Sequence, residues 1–171
     1  MDAALPTLLV GIAGVGGTVA SGYLAQQAAQ RTLRWEHERQ QHENLRDCYI
    51  AVNSRARSCR YALADYVQGM ATNTLTDETR QRAATAMDAH RAQYDEAQMV
   101  VSDSVLAEAR NVNEMIGRLY GVLRRIDCGA PLAGDSIEWA KRLLKDLWPL
   151  LTSIREAMRL DLGVSGGTRG D

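Results

Sequence analysis

Four stretches of this sequence place apolar side chains at alternating spacings of four and three residues, and that spacing is the strongest constraint on its fold. A helix turns once in about 3.6 residues, so the alternation gathers its members on one face, whereas a strand needs every second residue. Leu45, Tyr49, Val52, Ala56, Cys59, Leu63, Tyr66 and Met70 keep it without a fault and predict a helix through most of 44–71. Asn73, Thr74, Leu75, Thr76 and Asp77 break it, with Thr76 able to cap the next helix and Asp77 and Glu78 suited to its positive end. A weaker stripe of Ala83, Met87, His90, Tyr94, Ala97 and Val101 predicts a second helix over about 77–101. Val105, Ala109, Val112, Ile116, Leu119, Leu123 and Ile126 predict a third over 104–127, with Ser102, Asp103 and Ser104 as capping candidates. No Gly or Pro separates these two, so a single long helix with a slipped register also fits. Residues 128–135 (CGAPLAGD) form a connector that ends on a capping candidate, Asp135. The fourth helix carries Trp139, Ala140, Leu143, Leu144, Leu147, Trp148, Leu150, Leu151, Ile154 and Met158, and Pro149 is expected to kink it near Lys145.

These stripes are similar in length and suit rods of roughly 35 to 40 Å, which pack most simply as an up-down four-helix bundle. Composition agrees with an all-α fold. Phe is absent, Pro occurs three times, and the formal net charge of −1 removes any bulk signal for nucleic acid. The expected organisation is an N-terminal transmembrane helix over 1–25, a polar helical stalk over 26–43, a bundle over 44–162 and a flexible tail over 163–171.

The anchor rests on the longest charge-free run of the chain. No charged residue occurs from Ala3 to Gln30, and residues 5–25 are apolar or small throughout. About 20 such residues span a bilayer core of roughly 30 Å as a helix. A secretory signal would open with Lys or Arg, but here Asp2 precedes the apolar run. Arg31, Arg34, Arg39 and Arg46 follow it and no basic residue precedes it, which places the N-terminus outside and the bundle in the cytoplasm of a single-pass membrane protein. A buried, glycine-rich soluble helix is the competing reading.

Within the run, Ala13, Gly17, Ser21 and Ala25 recur every four residues beside a second row of Gly14, Thr18 and Gly22. Rows of small residues let membrane helices approach closely, so self-association is expected alongside contact with membrane lipid. Residues 11–18 (GIAGVGGT) also approximate a phosphate-binding loop. Gly17 occupies the place where that loop needs Lys, and the alternating strands and helices of such a nucleotide fold are missing from the sequence pattern.

The order Gly14, Val15, Gly16, Gly17, Thr18, then Trp35, Glu36, His37, Glu38, Arg39, then Leu45, Arg46 and Tyr49 resembles a group of uncharacterised small actinobacterial membrane-anchored helical proteins. Residues 99–105 (MVVSDSV) followed by Ala107, Ala109 and Val112 are similar to a helix junction in the same group. The resemblance implies an anchored helical protein and carries no catalytic residue with it. Some plasmid spread proteins of mycelial bacteria share the same general plan.

Reactive constellations are sparse. His37 and His42 are five residues apart, about 140° around a helix, and therefore do not face one metal. Neither they nor His90 has Glu three residues earlier, as a di-iron bundle requires. Cys48, Cys59 and Cys128 contain no Cys-x-x-Cys, and Cys48 and Cys59 lie about 16 Å apart along one helix, too far for a bridge. No catalytic residue, metal ligand or cofactor is expected from these patterns.

Two kinds of surface stand out instead. Arg55, Arg57 and Arg60 form a basic cluster that can meet a partner or acidic lipid, against the plainer reading of a solvated helix face. Trp139 and Trp148 offer apolar surface for oligomerisation. The leading expectation is a non-enzymatic, membrane-anchored interaction module that is a homo-oligomer or engages another membrane-associated protein, without specific nucleic acid binding. Plasmid or phage biology, such as intercellular DNA spread or defence, is its specialisation. The alternative is a ligand-binding bundle or small enzyme with a site near His90 and Tyr94.

Overall fold

The computed structural model describes the backbone of residues 5–164 and the side chains of residues 34–164. The side chains of the predicted anchor, including both small-residue rows, lie outside the described residues, as does Arg169-Gly170-Asp171 at the C-terminus. The described chain is all-helical, with four helices in the order α1 (Leu5–Ala71), α2 (Asp77–Ala97), α3 (Asp103–Asp127) and α4 (Ile137–Asp161). Among the described residues no helix is long and apolar enough to cross a membrane. Two units are distinguished, residues 1–43 and 44–171, and α1 contributes to both.

In the first unit the described side chains of 34–43 are all exposed, Trp35 at 75%. Contacts four residues apart support this polar helical surface: Arg39 pairs with Glu43 at 2.9 Å, and the Gln41 amide lies 2.9 Å from His37 Nε2. His37 and His42 are on this solvated segment.

The second unit is a four-helix bundle. Tyr49, Val52, Ala56, Cys59, Leu63 and Tyr66 of α1 are all buried, so the predicted stripe is the core face. Val105, Ala109, Val112, Ile116, Leu119 and Leu123 of α3 are buried in the same cluster. The α4 core face is Ala140, Leu143, Leu147, Leu151, Ile154 and Met158, while Trp139, Leu144 and Leu150 pack at its margin. Isolated helices of this length are marginal in water, so burial of these faces is what holds them.

Polar contacts fix the course of the chain. At one end the Tyr66 hydroxyl donates to Asp127 at 2.6 Å, and Arg80 grips both oxygens of that carboxylate at 2.9 and 3.0 Å. This joins the end of α1, the start of α2 and the end of α3. At the other end Tyr49 donates to Asp161 at 2.5 Å and is also hydrogen-bonded to Ser102, joining α1, the end of α4 and the α2–α3 junction. Successive helices therefore run in alternating directions, the up-down order. Hydrogen bonding to Arg80, then to Tyr66, holds the Asp127 carboxyl below its ordinary range.

Helix ends follow local chemistry. Thr76 caps α2 as predicted, its hydroxyl accepting from the Thr79 N–H at 3.2 Å. α1, α3 and α4 each close with a residue in the left-handed region, Asn73 (φ 55°), Gly129 (φ 71°) and Gly163 (φ 68°). The next amide in each case, Thr74, Ala130 and Val164, reaches back five residues to Gly69, Arg125 and Arg159. Residues 162–164 form the stop of α4.

Two expectations need correction. α2 ends at Ala97 rather than Val101, and α3 begins at Asp103, so the two are separate helices. Asp135 does not cap α4. Arg125, ten residues upstream, takes both its oxygens at 2.7 and 2.9 Å, and Ser136 caps instead by accepting from the Trp139 N–H at 3.1 Å. α4 runs through Pro149 as one helix, and Pro149 cannot donate to the Lys145 carbonyl.

Candidate interaction face

The basic cluster is divided by helical geometry. Arg55 and Arg57 are two residues apart, about 200° around α1, whereas Arg57 and Arg60 are separated by only about 60°. Arg55 accordingly faces α2, where it lines a surface groove of about 500 Å³ with Ser58, Glu78, Arg82, Ala86 and Ala89. Small side chains leave this groove open, and Arg82 within it pairs with Glu78 at 2.8 Å and with Asp65 at 3.5 Å.

Arg57 and Arg60 face α4. The Arg60 guanidinium lies 5.0 Å from the Trp148 ring centroid and 5.8 Å from that of Tyr61. Arginine stacks on aromatic faces because its planar cation meets the negative face of the ring quadrupole. Arg60 Nε is buried and has no hydrogen-bond partner among the described residues. Beside this stack, Asn53, Arg57, Trp148, Leu151, Thr152 and Arg155 enclose a cavity of about 20 Å³. Trp148 and Tyr61 remain about half exposed, at 50% and 54%. Among the described residues, Arg57, Arg60 and Arg155 have no ion pair, unlike Arg80, Arg82 and Arg125.

Trp139 and Trp148 do not form one surface. Nine residues are two and a half helical turns, so the two rings point to opposite flanks of α4. Trp139 is partly buried against the core, with Arg142 stacked 5.1 Å from its centroid. The spacing of Arg55, Arg57 and Arg60 and that of the tryptophans already contained this separation. The pairing of Arg60 with Trp148 was not legible, because it depends on α1 and α4 being neighbours.

His90 is 2% exposed and belongs to the interior. Burial, then the nearby Arg91 charge, lowers its pKa to about 4, against a smaller opposing effect from a hydrogen bond with Asn113. Nε2 finds no partner among the described residues. A general base must reach its substrate, and this imidazole lines neither the α1/α2 groove nor the α1/α4 cavity. Among the described residues no group of three or more His, Cys, Asp or Glu side chains is placed to hold a metal ion. Cys48 and Cys59 are buried and Cys128 is exposed.

No protein-family model matches the sequence, and no curated protein or solved structure shows significant similarity to it.

Proposed function

We propose that this protein is a non-enzymatic, membrane-anchored interaction module whose bundle engages a partner through the α1/α4 face. The observation that carries this reading is the Arg60–Trp148 stack. A half-exposed tryptophan and three arginines without ion pairs lie outside a core whose apolar side chains are already used in packing. Clusters of Trp, Tyr and Arg are the side chains that dominate protein interfaces.

Attachment to the membrane is assigned to residues 5–25, the charge-free run that precedes Arg31, Arg34, Arg39 and Arg46. In this reading the N-terminus is outside, the bundle is cytoplasmic, and Ala13, Gly14, Gly17, Thr18, Ser21, Gly22 and Ala25 pair the anchor with a second copy or another membrane helix. Kinship with small actinobacterial anchored helical proteins, and a place in plasmid or phage biology, are specialisations of the same proposal. Washing membranes with alkaline carbonate tests its foundation. The full chain stays with the membrane pellet if residues 5–25 span the bilayer; release into the supernatant overturns the anchor.

A further inference from the structure

We infer that the α1/α4 face receives an acidic amphipathic helix of a partner protein, seating one of its carboxylates at Arg57 and Arg155 and laying apolar side chains against Trp148. This deepens the interaction-module reading and rests on it. Charge is the first argument. The chain is nearly neutral overall, and Arg80, Arg82 and Arg125 are neutralised by their own carboxylates. Arg57, Arg60 and Arg155 have no ion pair among the described residues, a property they share with Arg55 and Arg110; what sets them apart is that they converge from two helices on one cavity and the ring beside it. A second copy of the same face would set guanidinium against guanidinium, which excludes a symmetric pairing through it.

Preorganisation is the second argument. Trp148 and Tyr61 hold the Arg60 guanidinium in place, and its Nε is already withdrawn from water. The stacked guanidinium in turn holds the Trp148 ring, so part of the ordering that this ring undergoes on meeting a partner's apolar side chains has already occurred in the free protein. Size and shape supply the third. About 20 Å³ is room for roughly one water-sized oxygen, enough for one oxygen of a carboxylate. Asn53 to Arg60 covers about two helical turns, or roughly 10 Å, beside exposed Trp148 and Tyr61, which is a seat for a helix with acidic and apolar residues at i, i+4 and i+7.

Fluorescence of the full chain in detergent micelles tests this. With Trp35→Phe and Trp139→Phe, Trp148 is the sole tryptophan, because the chain has three. The probes are an amphipathic Glu/Leu helical peptide, the same peptide with Gln for Glu, inorganic phosphate, and phosphatidylserine in mixed micelles of the same detergent. The Trp148 emission is expected to shift with the Glu peptide, with affinity at least tenfold above that for the Gln peptide. Arg57→Glu with Arg155→Glu should lower that affinity at least tenfold, whereas Arg110→Glu on α3 should leave it unchanged. Unaltered helical circular dichroism shows that each variant is folded, and the milder Arg155→Gln supplies a second comparison. Equal affinity for both peptides, or no shift, overturns the inference. A response confined to the phosphatidylserine micelles assigns the face to lipid, and one confined to phosphate makes it a simple anion site; either also overturns it. Because this readout is made in detergent, it is independent of whether carbonate releases the chain from membranes.

Discussion

The Tyr49 hydroxyl donates a 2.5 Å hydrogen bond to Asp161, a residue 112 positions later in the chain. It fastens the start of the bundle to its last helix. Tyr66 performs the equivalent task at the opposite end with Asp127. Both aspartates are the final residues of their helices, where a negative charge opposes the helix dipole. Their presence there is explained by the tyrosines they receive. Burial, followed by the Asp161 hydrogen bond, accordingly pushes the Tyr49 phenol up to about 12.

Removing either hydroxyl should weaken the bundle without changing its fold. Tyr49→Phe and Tyr66→Phe are each expected to cost about 1.5–3 kcal/mol, the range for a hydrogen bond to a charged group. Urea titration followed by helical circular dichroism measures this. The Tyr49→Phe/Asp161→Asn pair should show a coupling energy above about 0.5 kcal/mol, whereas Tyr49→Phe with Asp127→Asn, at opposite ends, should be additive.

His90 predicts a pH dependence. Its folded pKa is about 4, below the ordinary 6.5, so the unfolded chain binds the proton more readily. Stability is therefore full above about pH 6.5 and falls as the pH drops towards about 4, where the folded state also protonates. The Arg91 charge adds to this effect and Asn113 opposes it. His90→Met removes the titration and the unpartnered Nε2. Relative to the native chain, this variant should gain on the order of 2 kcal/mol between pH 7 and pH 4.5 in urea denaturation. Asp127 has its depressed pKa below this window and contributes its own loss only under more acidic conditions.

Asn73 occupies the left-handed region at the close of α1, with φ 55°. Only Gly, and to a lesser degree Asn and Asp, adopt that conformation cheaply. Asn73→Gly should change stability by no more than a few tenths of a kcal/mol, whereas Asn73→Val should lose about 1–2 kcal/mol because its branched side chain strains the same turn. Thermal unfolding of the two variants side by side is the measurement.

The contrast among helix ends also explains what could be inferred from sequence. The stripes of α1 and α3 were legible because their apolar residues recur with helical period, so local geometry alone gathers them on the face that the bundle buries. α1, α3 and α4 stop at residues able to adopt positive φ, but α2 ends in the right-handed region at Gln98 with no such residue. That is why 98–102 also fitted a continuous helix. Asp135 and Ser136 are both competent caps, and the choice between them is made by Arg125 on the preceding helix. The division of Arg55 from Arg57 and Arg60 follows from 100° per residue and was available in the sequence. The Arg60–Trp148 and Tyr49–Asp161 contacts were not, because each joins α1 to a helix more than 60 residues away.

The cysteines should report the fold directly. Burial raises the Cys59 thiol to about 12, and burial together with the Glu96 charge raises that of Cys48, whereas Cys128 is exposed on the connector after α3. Thiolate is the reactive form, so brief maleimide treatment of the native chain should modify Cys128 and spare the other two. Mass spectrometry of the digested product checks this, and prior unfolding in urea should make all three react.

Position-specific photocrosslinking of the full chain in its native membranes tests the central claim most directly. A photoreactive residue placed at Thr152, on the α1/α4 face, is compared with one placed at the exposed Glu114 of α3. The account predicts a discrete protein adduct from position 152 that disappears with Arg57→Glu and Arg155→Glu, and none from position 114. Adducts from position 114 alone, or an adduct from 152 indifferent to the two arginines, would contradict it.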